Sequence, residues 1–341
     1  FGLILSGNGG ILLSNNDFWF AIQVNFSTGN SYILTSLEYF SLFNRIYVDK
    51  LIYNYHMNNN VAALSLVITS GFIHMIWNSR YKISKNPNQL FAGTRVLNLL
   101  YLLPFCIYMY EPISLKGLIY ISASGLIHYF YFYFLILMYN NEDFSKVYPL
   151  SRGLGNLLTP ILGVTLIKET ISKISMGGIL INLAGLLLLN TRKPENPKKL
   201  NKGTIFSIIT GITITAYSYI DKLGVEELNP VQYFYSYMLI TFVIYNFVAV
   251  LNKETLYTNF LSKKNLLEYS FVGLSDTFSY LLILYSLTFT EVSYIAPMRN
   301  SGIVISSFMG FVYLNEKFNK IRAIGSIVIF IGIIIITIGI E

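Results

Sequence analysis

Six ionisable side chains stand inside long apolar runs: His74, Arg95, His128, Arg152, Asp276 and Arg299. Such a group costs about 2.5–3.5 kcal/mol at the bilayer centre on insertion scales, so it normally faces a polar interior. Arg152 and Arg299 head two similar stretches, RGLGNLLTPILGVTLIKE at 152–169 and RNSGIVISSFMGFVYLNEK at 299–317. In both, a glutamate follows the arginine by seventeen residues, and a proline, Pro149 or Pro297, precedes it closely. A proline frees a carbonyl one turn earlier, and a guanidinium could satisfy it. The two arginines could instead offer positive charge to a carboxylate or phosphate.

His74, Trp77 and Asn78 lie at i, i+3 and i+4, as Tyr217 and Asp221 lie at i and i+4, so each set shares a helix face. Such faces suit a substrate cavity wall; they also suit helix packing through interhelical hydrogen bonds, and Trp77 could be an interfacial anchor. His128 and Asp276 follow Gly125 and Gly273 at matched spacing. A histidine titrates near neutral pH, so the two are candidates for proton coupling; the alternative is a pair of buried, hydrogen-bonded polar groups. Glu169 and Glu316 read as caps at the positive end of the helix that follows each. The run HYFYFYF at 128–134 puts rings all round one helix, so some must face lipid or the interface.

Apolar types make up 54% of the 341 residues and charged types 12%, about half of the roughly 25% usual in soluble domains. Ten apolar segments recur, at 60–78, 89–109, 116–138, 145–167, 174–190, 203–220, 230–251, 267–288, 292–314 and 321–340. A helix needs about 20 apolar residues to cross the hydrocarbon, and lipid offers free backbone groups no partner. The expected class is an all-α polytopic membrane protein. The net charge of +7 sits in short loops and is no nucleic-acid signal. Cys106 is the one cysteine, which excludes an internal disulfide. No HExxH, CxxC, P-loop or Ser/His/Asp set appears, so neither an enzyme nor a cofactor is expected.

A shift of 147 aligns Arg152 with Arg299, Gly163 with Gly310, Glu169 with Glu316, Gly178 with Gly325 and Gly185 with Gly332. A shift of 148 aligns Gly125 with Gly273 and His128 with Asp276. Pro87-Asn-Gln-Leu-Phe91 matches Pro230-Val-Gln-Tyr-Phe234, and Gly71, Trp77 and Lys82 match Gly211, Tyr217 and Lys222. Residues 57–190 and 203–341 therefore read as two five-helix repeats joined by a linker at 191–202. Five helices per repeat make the second copy enter from the opposite side. Ten transmembrane helices as two inverted repeats are expected, with a substrate site near the midplane. Residues 1–56 read as an upstream extension before Met57. Fifteen loop Lys/Arg collect on one side and four (Lys116, Lys168, Lys173 and Lys222) on the other, so the fifteen-residue side is expected in the cytoplasm.

HMIWNSRYK at 74–82, VYPLSRG at 147–153, GVTLIKETIS at 163–172, AYSYIDKLGV at 216–225 and GFVYLNEKFN at 310–319 resemble the EamA family of the drug/metabolite transporter superfamily. The resemblance implies a ten-helix carrier of small metabolites in the cytoplasmic membrane, and leaves the substrate open. Tyr148 joins the candidate substrate ligands, although the second copy has Ala296-Pro297 where the first has Tyr148-Pro149. The expected function is secondary transport of a small polar, anionic or zwitterionic metabolite by alternating access; the alternative is a flippase of a lipid-linked sugar. Substrate and membrane lipid are the expected partners, nucleic acid is not, and two copies could pair as a homodimer.

Overall fold

The computed structural model describes residues 2–5, 10–15, 18–23, 59–189, 201–304 and 320–339. The chain divides into two compact units, Phe1–Met57 and Asn58–Glu341. In the first, β1 (Gly2–Leu5), β2 (Gly10–Asn15) and β3 (Phe18–Gln23) pair antiparallel in sequence order. The all-helical expectation therefore applies to the second unit alone.

Among its described residues the regular structure of the second unit is all helical. Its elements are α1 (Asn59–Ile83), α2 (Pro87–Tyr108), α3 (Leu115–Asn141), α4 (Phe144–Leu162), α5 (Lys173–Leu189), α6 (Lys202–Glu227), α7 (Pro230–Leu251), α8 (Lys263–Leu287), α9 (Val292–Met298) and α10 (Lys320–Ile338). A π-helical turn, Gly163–Ile167, extends α4. Pro87 and Pro230 open α2 and α7, where a missing N–H costs nothing. Ser114, Asn201 and Asn229 cap α3, α6 and α7 by accepting from the backbone N–H three residues on, at 2.8–2.9 Å.

Among the described residues seven helices are long and apolar enough to cross a membrane: α1, α2, α3, α4 with its π turn, α6, α7 and α8. The other three expected spans are not among these seven. Helix α5 and the Ala323–Ile338 part of α10 are shorter apolar helices, and α9 has seven residues within the described part of the ninth segment. The expected ninth segment runs on into residues 305–319, outside those described, as do Gly310, Glu316, Lys317 and linker residues 191–200.

Packing follows the small residues. A Cβ on Gly178 would lie 2.8 Å from the Gly332 carbonyl oxygen, and one on Gly185 would lie 2.8 Å from that of Gly325. Only glycine admits such close backbones, and the order of these pairs makes α5 and α10 antiparallel. Helix α6 packs on α3 and α4, α1 on α8 and α9, and α7 on α2 and α3, while α8 also packs on α2. Lys82 Nζ donates to the Tyr139 and Glu142 carbonyls (2.6 and 2.7 Å) at the end of α3. Lys222 Nζ donates to the Leu287 carbonyl (2.9 Å) at the end of α8. Both place a cation at the negative end of a helix.

Glu169 does not cap the helix after it. Its carboxylate accepts from the Val292 and Ser293 N–H groups (2.9 and 3.0 Å) and from the Ser293 hydroxyl. The left-handed Lys168 (φ 68°) turns the chain sharply just before it, and the carboxylate meets the free N–H groups that open α9.

Candidate functional site

The charged and polar side chains of α1, α2, α3, α6, α7 and α8 converge in the helical unit. Arg95 on α2 pairs with Asp276 on α8, Nη1 to Oδ2 2.6 Å, with both side chains nearly fully buried. The guanidinium lies over the rings of Phe132 and Phe91, 4.5 and 4.9 Å from their centroids. This cation–π sandwich replaces part of the lost hydration.

Asp221 on α6 has no exposed surface. Its Oδ1 accepts from Ser124 Oγ at 2.6 Å and Tyr233 Oη at 2.8 Å, and its Oδ2 accepts from Tyr280 Oη. A buried carboxylate needs such donors from several elements at once. His128 Nε2 is 3.9 Å from Asp221 Oδ2. The imidazole stacks between Tyr217 and Tyr237, with centroids 4.4 and 4.3 Å away. Thus His128 faces Asp221 across the helices, whereas Asp276, its match in the repeat, faces Arg95.

On α1 the His74 ring lies between Asn78, whose Nδ2 is 2.6 Å from Nδ1, and Arg152 Nη2, which contacts Nε2. Arg152 also donates to Tyr131 Oη at 3.0 Å, and Tyr139 Oη donates to Asn78 Oδ1 at 2.8 Å. Trp77 is no interfacial anchor. It is buried and its Nε1–H donates to Ser279 Oγ (3.2 Å) on α8. Arg299 is also buried, 5.7 Å above the Tyr280 ring, and its Nη2 has no hydrogen-bond partner among the described residues. Behind it, Asn156 donates to Asn300 (2.7 Å) and Asn300 to Asn182 (2.6 Å), which links α4 and α5 to the chain after α9.

These groups surround a cavity of about 20 Å³, lined in part by His74, Trp77, His128, Tyr217 and Asp276; that is room for about one water. Asn78, Arg152, Asp221 and Arg299 stand behind this lining, in contact with His74, Tyr131 or Tyr280. Tyr148 is the outlier: it stacks on Phe144 (4.8 Å) and does not line the cavity.

Arg95 belongs to the site more centrally than its place in the sequence suggested, and Ser124, Tyr233, Tyr237 and Tyr280 carried no sequence signal beyond lying in apolar helices. Tyr131 and Phe132 could have been found: with His128 they make an i, i+3, i+4 face of α3, and all three line the cavity. Phe130 and Tyr133 of the same run are 42% and 43% exposed, on the side left for lipid.

The sequence model of the EamA-like transporter family matches residues 201–338. No curated protein matches the chain. Among solved structures, one crystal structure aligns with a TM-score of 0.60 at 16% identity, covering 82% of this chain and 95% of that chain. At this identity the likeness concerns the fold alone.

Proposed function

We propose that this multi-pass membrane protein, whose residues 201–338 belong to the EamA-like transporter family of the drug/metabolite transporter superfamily, is a secondary transporter of a small anionic or zwitterionic metabolite. The observation that carries the reading is the charge balance of the chamber. Three buried arginines, Arg95, Arg152 and Arg299, meet two buried aspartates, Asp221 and Asp276. Among the described residues one positive charge is left over, and Arg299 Nη2 has no partner there. A carboxylate or phosphate supplies what that nitrogen lacks.

The route is alternating access between two inverted five-helix repeats. Several contacts support this arrangement. Under the repeat, the pair Gly178–Gly332 becomes Gly325–Gly185, and the contact from Lys82 to Tyr139 becomes that from Lys222 to Leu287. Helices α5 and α10, which correspond, run antiparallel. With only about 20 Å³ at the centre, the helices must separate to admit a metabolite. The side chains that now bond one another would then turn to the substrate.

The unit best placed to carry a coupling proton is His128 with Asp221, 3.9 Å apart and shielded by three tyrosines. Asp276, held by Arg95, serves as the counter-ion. The Lys-rich face lies in the cytoplasm, as the loop charges require.

Uptake of labelled anionic, zwitterionic and cationic metabolites into proteoliposomes tests the reading. Losing a charge-assisted hydrogen bond costs about 1.5–3 kcal/mol, so Arg299→Gln is expected to raise KM for an anionic substrate about 10- to 150-fold. Equal transport of anions and cations, unchanged in this variant, would refute the proposal.

A further inference from the structure

We propose that the cleft between the ends of α3 and α7 on the lysine-rich face is a binding site for an anionic phospholipid. The cleft holds about 640 Å³, within the range of about 300–1,000 Å³ typical of ligand pockets. Helices α3 and α7 touch closely at Gly125, whose carbonyl accepts from Thr241 Oγ1 at 2.9 Å. From there towards their last turns an open cleft lies between them.

The two ends of the cleft differ in chemistry. At the mouth stand Lys85 and Lys253, both exposed and neither ion-paired among the described residues. Glu254, the one carboxylate among the described residues of the lining, accepts from Asn88 Nδ2 at 3.0 Å. Deeper in, the walls are Tyr129 and Tyr133 of α3 and Tyr245 of α7. Tyr133 is 43% exposed, and Phe130, whose ring meets that of Tyr129 at 5.3 Å, is 42% exposed, so the wall is continuous with the outward apolar surface. Lysines at the membrane surface above such a wall match a phosphodiester headgroup attached to acyl chains. Basic pockets between helices on the cytoplasmic side take anionic headgroups in this way.

The cleft is not the substrate chamber. Phe91 stands between Tyr245, which lines the cleft, and Phe132, which lines the chamber, at 4.3 and 4.7 Å. The inference is therefore independent of the transport reading.

Native mass spectrometry of the full chain, released from nanodiscs of mixed phosphatidylglycerol and phosphatidylcholine, tests it. Retention of phosphatidylglycerol in preference to phosphatidylcholine is expected. A surface lysine is worth about fivefold in such binding, so Lys85→Gln with Lys253→Asn should cut the preference on the order of 25-fold. Asparagine tolerates the left-handed backbone at 253 (φ 57°). Lys116→Gln with Lys173→Gln, on the opposite face, should leave the preference intact. The same preference in wild type and cleft variant would overturn the proposal. So would displacement of the lipid by millimolar inorganic phosphate, which would give the cleft to a free anion.

Discussion

The Arg95–Asp276 pair offers the sharpest test of how the chamber is held together. Its nitrogen and oxygen are 2.6 Å apart and the side chains are only 3% and 9% exposed. Removing one member of a buried pair leaves the other charge uncompensated, which costs about 3–5 kcal/mol. Arg95→Met and Asp276→Asn should therefore each destabilise the protein by that amount. Removing both leaves one buried amide short of partners, a cost of about 1–3 kcal/mol. The sum of the single effects, about 6–10 kcal/mol, then exceeds the double effect by at least about 3 kcal/mol. Equilibrium unfolding of the four proteins in one detergent measures all terms of the cycle. Simple additivity would refute the pairing. A stable Asp276→Asn variant would show that the carboxylate bears no charge against Arg95.

Further outcomes follow from other contacts. Gly178→Val is expected to cost about 1–3 kcal/mol by overpacking, because its Cβ would meet the α10 backbone; a thermal melt checks it, and Gly177→Val, where nothing lies within 4 Å, is the control. In a Cys106→Ser background, cysteines at 85 and 253 should react with an impermeant maleimide from one side of the membrane, and cysteines at 116 and 173 only from the other. Phe132→Ala removes a ring shared by the Arg95 sandwich and the barrier to Phe91. It should cost about 3–5 kcal/mol and increase labelling of a cysteine at 280 from the lysine-rich side. Glu169→Gln keeps an acceptor for the α9 N–H groups but loses the charge, so a loss of about 0.3–1 kcal/mol is expected, against a larger loss for Glu169→Ala.

Much of the fold was legible because membrane helices carry their signal locally. The P-x-Q-x-F starts at Pro87 and Pro230 mark the first turns of α2 and α7. The helices nevertheless outrun the apolar windows: α1 reaches Ile83 and α6 reaches Glu227. Polar turns continue the helix beyond the hydrocarbon edge, and Lys82 and Lys222 sit on these extensions. The chamber was legible in its residue types but not in its pairings. His74, Trp77 and Asn78 do share a face, yet nothing local tells that His74 meets Arg152 or that Trp77 meets Ser279. The repeat set His128 beside Asp276 as equivalents, and equivalents need not touch. Glu169 was misplaced for a related reason: its partners, Val292 and Ser293, are more than a hundred residues away.

Under the proposed inverted repeat, the matched positions explain how a near-symmetric frame would hold an asymmetric site. The contacts that repeat are made by groups with little chemistry: glycine against backbone, and lysine on the end of a helix. Where the repeats would meet at the centre, Arg152 and Arg299 match but the other charged positions diverge. Shifts of 143 and 148 carry Arg95 to Met238 and Asp276 back to His128, so the counterpart of the ion pair is a thioether beside an imidazole. A shift of 140 carries Asp221 back to Tyr81, so the counterpart of the carboxylate is a phenol. A frame that repeated Arg95 at position 238 would put a second arginine where Met238 Sδ lies 3.6 Å from Arg95 Nη1, and low dielectric penalises like charges that close. Divergence lets one half supply Arg95 for the other half's Asp276, and the other half supply Asp221 for the first half's His128. Each of these two contacts then bridges the two proposed halves, so any motion that parts them must break both.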